Sequence, residues 1–286
     1  MADRVWTIGS ILDWTKQYFG SKGVEQPRLD AEVLLSHVLR KERIYLYVHF
    51  DEPLEREELA AFRELVKRRA MREPVAALIG RKEFMGLDFA VNEHTLIPRP
   101  DTETLVQTAI DRLRGAKDAV FADIGTGTGA IALSILHYLP ETRAVATDVS
   151  PEALRVAKRN ATMLELAERV EFVQGDLLSP LAGRKFAAIL SNPPYIPDAE
   201  IANLAPEVRH EPKLALAGGL DGLDFYRRFV AESAPFLEDG GFLALEVGIH
   251  QAGQVAELAR KSADWGKCEI LRDLAGIERV ILLEKA

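Results

Sequence analysis

The chain has 286 residues, 48% hydrophobic and 28% charged, an ordinary globular balance with enough apolar material for one large or two unequal domains. Net charge is −8: residues 1–90 hold 15 basic and 15 acidic side chains and residues 91–286 hold 21 and 29, so nothing advertises the basic face that gripping duplex DNA or RNA requires. The apolar runs are too short to span a bilayer, "MADRVWTIGS" does not open like a secretory signal, and a lone Cys268 excludes an internal disulfide framework; a cytoplasmic protein with no membrane association is expected.

The first third reads as helices. "TIGSILDWTKQYFGSKG" puts Ile8, Ile11, Leu12 and Tyr18 at helical intervals before a glycine-bearing stop. "PRLDAEVLLSHVLR" starts with proline and is expected to bury Leu29, Val33, Leu34 and Val38 on one stripe. "LEREELAAFRELVKRRAMREP" is long and amphipathic, with Leu59, Phe62, Leu65 and Val66 as its apolar face and Pro74 beyond its end. Its basic cluster, Lys67, Arg68, Arg69 and Arg72, reads as a solvated helix end favoured by the macrodipole, the alternative being a partner contact.

The period then changes. "RKEFMGLDFAV" alternates around a Met85-Gly86 turn and predicts a hairpin. "LIPRPDTETLVQTAIDRL" leads through two prolines into a helix capped by Asp101 or Thr102. From residue 119 strands and helices alternate: "DAVFADIG", "GAIALSILHYL", "RAVATDVS", "PEALRVAKRNATML", "RVEFVQGD" and "KFAAILSN". A helix around "FYRRFVAESAPFL", the strand "GFLALEVG", the helix "QAGQVAELARKS" and two closing strands follow, Cys268 lying in one of them with a structural role. This alternation predicts an α/β domain with a mostly parallel sheet covered on both faces. The chain divides into a helical domain (1–75), a β-hairpin linker (76–97) and an α/β domain (98–286).

"FADIGTGTGAIAL" joins the first strand of that domain to its helix. Gly125, Gly127 and Gly129 permit a tight turn and let a ligand approach without meeting a β-carbon. Alone, the loop also fits a dinucleotide fingerprint with pyrophosphate on the helix N-terminus. Asp148, ending the second strand, suits a ribose hydroxyl pair in either case. Asp123 tilts the choice, because a carboxylate there repels pyrophosphate and suits a ligand bearing sulfonium and ammonium groups. Asp176, after the third strand, is placed to meet an adenine amino group or the loops around it. Helix caps and turns are the competing use of such aspartates.

The fourth strand delivers Asn192-Pro193-Pro194-Tyr195 to the carboxyl edge of the sheet, where open α/β folds bind ligands. "DIGTGTG" with "TDVS" and "SNPPY" resembles the class I S-adenosylmethionine-dependent methyltransferases that modify nitrogen conjugated to a π-system, in adenine, cytosine or glutamine. Such a nitrogen is a poor nucleophile. The Asn192 side-chain oxygen and the Pro193 carbonyl can accept its two hydrogens, aim its lone pair and stabilise the positive charge that grows on methylation. The prolines stiffen the backbone, and Tyr195 is placed to pack on the planar group.

"TLIPRPDTE" and "EPKLALAGGLDGLDFYRR", with the helical front, extend the resemblance over essentially the whole chain to the PrmC/HemK family of peptide-chain release factor glutamine methyltransferases. The resemblance implies a helical bundle, a hairpin linker and a Rossmann-like domain with a seven-stranded sheet. It also implies S-adenosyl-L-methionine as cofactor, S-adenosyl-L-homocysteine as product, and release factors as partners, methylated on the glutamine of a Gly-Gly-Gln motif. The loop Gly125-Thr126-Gly127-Thr128-Gly129, Asp148, Asn192 and Leu177 beside Asp176 would touch the cofactor, and Asn192, Pro193, Pro194 and Tyr195 would hold the glutamine. A ribosomal-protein glutamine methyltransferase shares the motif, and an adenine amino-methyltransferase of nucleic acid is the more distant alternative. The six histidines have no metal-like spacing, no metal is expected, and Glu211 in "HEPKLAL" stands between a site role and a loop role.

Overall fold

The computed structural model describes residues 5–286; the first four residues of the opening segment lie outside the described residues. The chain forms two compact units, one running through Gly80 together with the return segment Ala205–His210, the other made of Arg81–Leu204 and Glu211–Ala286.

The first unit holds α1 (Ile8–Ser21), α2 (Pro27–Leu39), α3 (Arg43–Val48), α4 (Arg56–Ala70) and α5 (Val75–Ile79). Thr7 and Ser10 close a capping box at the start of α1. Ile8, Ile11, Leu12 and Phe19 pack on Leu34 and Leu35 of α2 and on Phe62 and Val66 of α4. The buried stripe of α2 is rotated from expectation: Ala31, Glu32, Leu34 and Leu35 face inward while Leu29 is exposed. Glu32 fits inside because Arg28, Arg43 and Tyr47 all hydrogen-bond its carboxylate. The basic end of α4 is not simply solvated either. Arg69 is buried, paired with Asp30 at 2.7 Å and Glu207 at 2.9 Å, and Arg72 forks onto Glu207. Burial alone would raise Glu207, but Arg72 and Arg69 hold it down to about 2.

In the second unit β1 (Arg81–Phe84) and β2 (Leu87–Ala90) form the expected hairpin, with Met85 and Gly86 at φ 52° and 71° in the turn. Then follow α6 (Glu103–Leu113), β3 (Val120–Ile124), α7 (Ala130–Tyr138), β4 (Arg143–Asp148), α8 (Pro151–Met163), β5 (Val170–Gln174) and β6 (Phe186–Ser191). The chain ends with α9 (Asp224–Glu232), β7 (Leu237–Glu246), α10 (Ala252–Arg260), β8 (Trp265–Arg272) and β9 (Glu278–Lys285). The seven long-range strands lie in the order β5-β4-β3-β6-β7-β9-β8, parallel through β7 and antiparallel at β9 and β8. The central strands are apolar almost throughout because both faces are covered. Phe121, Ala188 and Leu190 pack under α6 and α7; Ala122, Ile124 and Ile189 pack under α9 and α10. Phe84 and Phe89 of the hairpin join the first of these cores. Because β3 and β6 are adjacent parallel strands, the loops after both open at one edge of the sheet.

Candidate active site

The loop after β3 is stapled to β4 by its own backbone. Gly125 and Thr126 both donate to the Thr147 carbonyl at 2.9 Å, Gly127 donates to Asp148 Oδ2 at 2.9 Å, and Gly129 donates to Thr126. All three glycines have φ between 56° and 82°, a region costly for other residues, and at Gly125 and Gly127 the space a β-carbon would take is open. Beneath the loop Asp123 is fully buried. Its Oδ2 accepts from the Thr126 hydroxyl at 2.6 Å and the Ala132 amide at 3.2 Å, while Oδ1 has no partner. Burial pushes this carboxyl up to about 7 against those two donors. The amides of Gly125, Thr126, Gly127 and Gly129 are spent on Thr147, Asp148 and Thr126, that of Ala132 on Asp123, and a carboxyl buried below the loop disfavours an anionic ligand above it.

A cavity of about 340 Å³ opens over this loop. It is lined by Gly125, Thr126, Gly127 and Thr128, by Asp148, by Asp176 and Leu177, and by Asn192, Pro193 and Pro194. Its one Arg or Lys among the described residues, Arg99, is ion-paired with Glu211. Asp148 Oδ1 accepts from Ser150 at 2.9 Å, so each oxygen of this carboxylate keeps acceptor capacity toward the cavity; burial raises its pKa against the Ser150 and Gly127 amides. Leu177 has φ 46°, in the left-handed region that a branched apolar side chain seldom adopts. The Asp176 carboxylate pairs with Arg228 of α9 at 2.7 Å.

Asn192 follows the last residue of β6 and is half-buried. Its Nδ2 donates to Thr102 Oγ1 at 3.2 Å. Thr102 stands at the start of α6, but its hydroxyl makes no capping bond and instead accepts from Asn192; Asp101 pairs with Arg279 at 2.9 Å. The expected cap therefore belongs to the site wall.

Three expected site residues stand behind the lining. Asp123 and Gly129 lie below the loop, where a Gly129 β-carbon would press within 2.9 Å of Leu133. Tyr195 packs with the α9 and α10 core, and burial raises its phenol to about 12. Its carbonyl accepts from Gln251 Nε2 at 3.0 Å, and Ile196 pairs in parallel with Ala217. This explains "LAGGLDG": a β-carbon on Gly218 would fall 2.8 Å from Tyr195 Cα and 2.9 Å from the Pro194 carbonyl. Glu211 organises a loop, accepting from the Ile97 amide at 3.1 Å.

Sequence reasoning missed Thr102, Glu246, Gln251 and Asn160. Asn160, whose "NAT" context resembles a glycosylation signal, is fully buried on α8. It accepts from the Ala90 amide and donates to the Ala90 and Thr128 carbonyls, tying the hairpin to the glycine loop. No helix among the described residues is long and apolar enough to cross a membrane.

A family model described as the PrmC N-terminal domain matches residues 10–80, and one described as the methyltransferase small domain matches residues 101–261. The release factor glutamine methyltransferase of Geobacter sulfurreducens is 46% identical over 97% of this chain and 96% of its own length. That of Moorella thermoacetica is 47% identical over 96% and 98%. Among solved structures, the hMettl16 catalytic domain in complex with MAT2A 3'UTR hairpin 6 matches with a TM-score of 0.59 at 17% identity, covering 77% of this chain and 81% of that one. A methyltransferase from Pyrococcus furiosus matches at 0.53 and 20%, covering 77% and 98%. At such identities the likeness is one of fold, that of the class I methyltransferases. Matched in both its parts and nearly half identical to curated relatives along almost its whole length, the chain belongs to the release factor glutamine methyltransferase family.

Proposed function

We infer that this protein methylates the side-chain amide nitrogen of a glutamine, that of the Gly-Gly-Gln motif of peptide-chain release factors, with S-adenosylmethionine as methyl donor. The observation that carries the reading is one cavity lined both by the glycine loop with Asp148 and by Asn192, Pro193 and Pro194. The residues fit the cofactor. Asp148 offers carboxylate oxygens for a ribose diol, Gly125 and Gly127 leave room at the loop, and the Asp123 charge below it suits a cationic ligand. Leu177 and Asp176 border the adenine end. When bound, S-adenosylmethionine supplies a methyl group on a sulfonium and leaves as S-adenosylhomocysteine.

The chain's own residues make the amide reactive. Asn192 Oδ1 and the Pro193 carbonyl accept its two N–H groups, holding the nitrogen with its lone pair exposed and countering the charge it gains. Among the described residues no hydrogen bond claims the Pro193 carbonyl, so it is available for this role. Pro194 and Tyr195 stiffen and back the segment. Residues 1–75 serve as the docking domain for the protein substrate, 76–97 as the hairpin linker and 98–286 as the catalytic domain, acting in the cytoplasm. Protein rather than nucleic acid as acceptor accords with the acidic charge.

Incubation with methyl-labelled cofactor and, separately, purified release factor, ribosomes and nucleic acid tests the assignment. One methylated glutamine in the release factor is expected. Label confined to a ribosomal protein or to nucleic acid would overturn it.

A further inference from the structure

Behind Asn192 lies a buried carboxyl that the reaction as drawn does not use. Glu246 ends β7, is 1% exposed and does not line the cavity. The parallel register pairs Ser191 with Leu245, so the next position sets Asn192 beside Glu246. The side chains of Thr102 and Asn192 favour the charged form of the Glu246 carboxyl, and its buried Oε2 has no hydrogen-bond partner among the described residues. Asn192 Nδ2 also donates to Thr102 Oγ1 at 3.2 Å.

We propose that Glu246 is a positioning residue that selects which end of the Asn192 carboxamide faces the substrate. The inference rests on the glutamine-methylation reading above. A carboxamide is ambivalent, donating from nitrogen and accepting at oxygen. A substrate nitrogen carrying two hydrogens needs the oxygen; a flipped Asn192 would set donor against donor. An ionised carboxylate can only accept. It therefore draws Nδ2–H inward and leaves Oδ1 toward the cavity, and Thr102 reinforces the selection by accepting from Nδ2.

The charges facing Glu246 are Arg279 of β9 and Asp101 before α6. Tyr195 also borders it, as does Tyr226 of α9, whose hydroxyl donates to the Glu246 backbone carbonyl at 2.9 Å. Arg279 is held between Asp101 at 2.9 Å and Asp273 at 3.1 Å, so it is a fixed counter-charge. Burial nevertheless pushes Glu246 up to about 7, against Thr102, Arg279 and Asn192. A protonated Glu246 could donate to Oδ1 and favour the wrong orientation, so turnover should rise with pH through about 7. Asp123 titrates in the same range, and the substitution, not the profile alone, separates the two.

Glu246→Gln keeps the volume and removes the fixed acceptor. We expect kcat toward the release factor to fall about 10- to 100-fold, the worth of a hydrogen bond to a charged group, with S-adenosylhomocysteine affinity unchanged. In an Asn192→Ala background the same change should cost less than about twofold, because its effect runs through the missing carboxamide. In the wild-type protein the Asn192 side-chain NH₂ resonances should shift as pH passes through about 7, and in Glu246→Gln this shift should vanish. Wild-type turnover in Glu246→Gln, or an equal loss in the Asn192→Ala background, would overturn the proposal. Failure of the wild-type protein to methylate any glutamine would instead overturn the parent reading, while the resonance shift would still report the carboxamide's orientation.

Discussion

Replacing Asp123 with asparagine should make the protein more stable and a poorer binder of its cofactor. Burial lifts this carboxyl from an ordinary 3.8 to about 7. A carboxyl with a folded value above its unfolded value holds its proton more tightly in the folded state. The stability this contributes is whole below about pH 3.8 and is lost as pH rises to about 7. At 1.36 kcal/mol for each pH unit the whole window amounts to about 4 kcal/mol, and the part between pH 5 and pH 7 to about 3 kcal/mol. Solvent entry and relaxation lower such figures, so about 2 kcal/mol is the working expectation. Asparagine keeps one oxygen for Thr126 or Ala132 and never ionises. The stability advantage of Asp123→Asn over wild type should therefore be about 2 kcal/mol larger at pH 8 than at pH 5.

The measurement is urea unfolding followed by fluorescence of Trp265 on β8, with Trp6 and Trp14 replaced by phenylalanine so that only the sheet-bearing unit reports. Glu246 titrates in the same range in both proteins and cancels in the comparison. A calorimetric titration of S-adenosylhomocysteine, which keeps the ammonium group, should show binding weakened about tenfold or more at pH 8. A stability difference that does not change between pH 5 and pH 8 would refute the account of Asp123 as a buried charge retained for the ligand at the expense of the fold.

Three further substitutions separate binding from turnover. Asn192→Ala should lower kcat about 100-fold or more while S-adenosylhomocysteine affinity stays within about threefold, since it removes one preorganised acceptor; unchanged turnover in the folded variant would take asparagine out of the mechanism. Asp148→Ala should weaken the same titration by at least about tenfold, because it removes the carboxylate offered to the ribose and frees the Gly127 amide it holds; equal affinity would contradict that. Gly218→Ala puts a methyl group within 3.0 Å of backbone atoms of Tyr195 and Pro194, so the segment carrying the acceptors must shift; kcat should drop several-fold more than cofactor affinity, as read by parallel kinetics and calorimetry.

The sheet domain was legible because its signals are local and repeated. Apolar strands such as "FAAIL" alternate with helical periods, and each strand ends in turn chemistry. The hairpin was legible for the same reason, Met85-Gly86 interrupting a period of two. What stayed hidden depends on contacts between distant segments. Glu32 on α2 reads as an exposed helix residue, yet Arg28, Arg43 and Tyr47 converge on it, which turns the buried stripe away from Leu29. Arg69 reads as a solvated charge until Asp30 and Glu207 are brought to it. At the site, the motifs gave the residues that line the cavity, but not Thr102, Glu246 or Asn160: Thr102 meets Asn192 from 90 positions away, and Asn160 meets Ala90 from 70. A hint for Glu246 was present: in "FLALEVG" a carboxyl stands at the end of an otherwise apolar strand, where an unpaired charge is costly unless it has work.

The two prolines after Asn192 follow from the same logic. Proline has no amide hydrogen, so Pro193 and Pro194 cannot be secured by the ladder that holds β6, and the segment must be fixed from outside. The structure supplies that support downstream. Ile196 donates to Leu216 at 3.0 Å, Gly218 to Ile196 at 2.8 Å, Asp198 to Gly219 at 2.9 Å, and Gln251 to the Tyr195 carbonyl at 3.0 Å. These bonds begin at Tyr195 and leave the Pro193 carbonyl unclaimed. On the proposed function, a residue with an amide hydrogen at either position would bring a donor to a place where acceptors serve a substrate that arrives with two hydrogens of its own. On that reading, removing donors from the backbone and anchoring it from Tyr195 onward are two halves of one solution: a wall that accepts and is held from outside the strand.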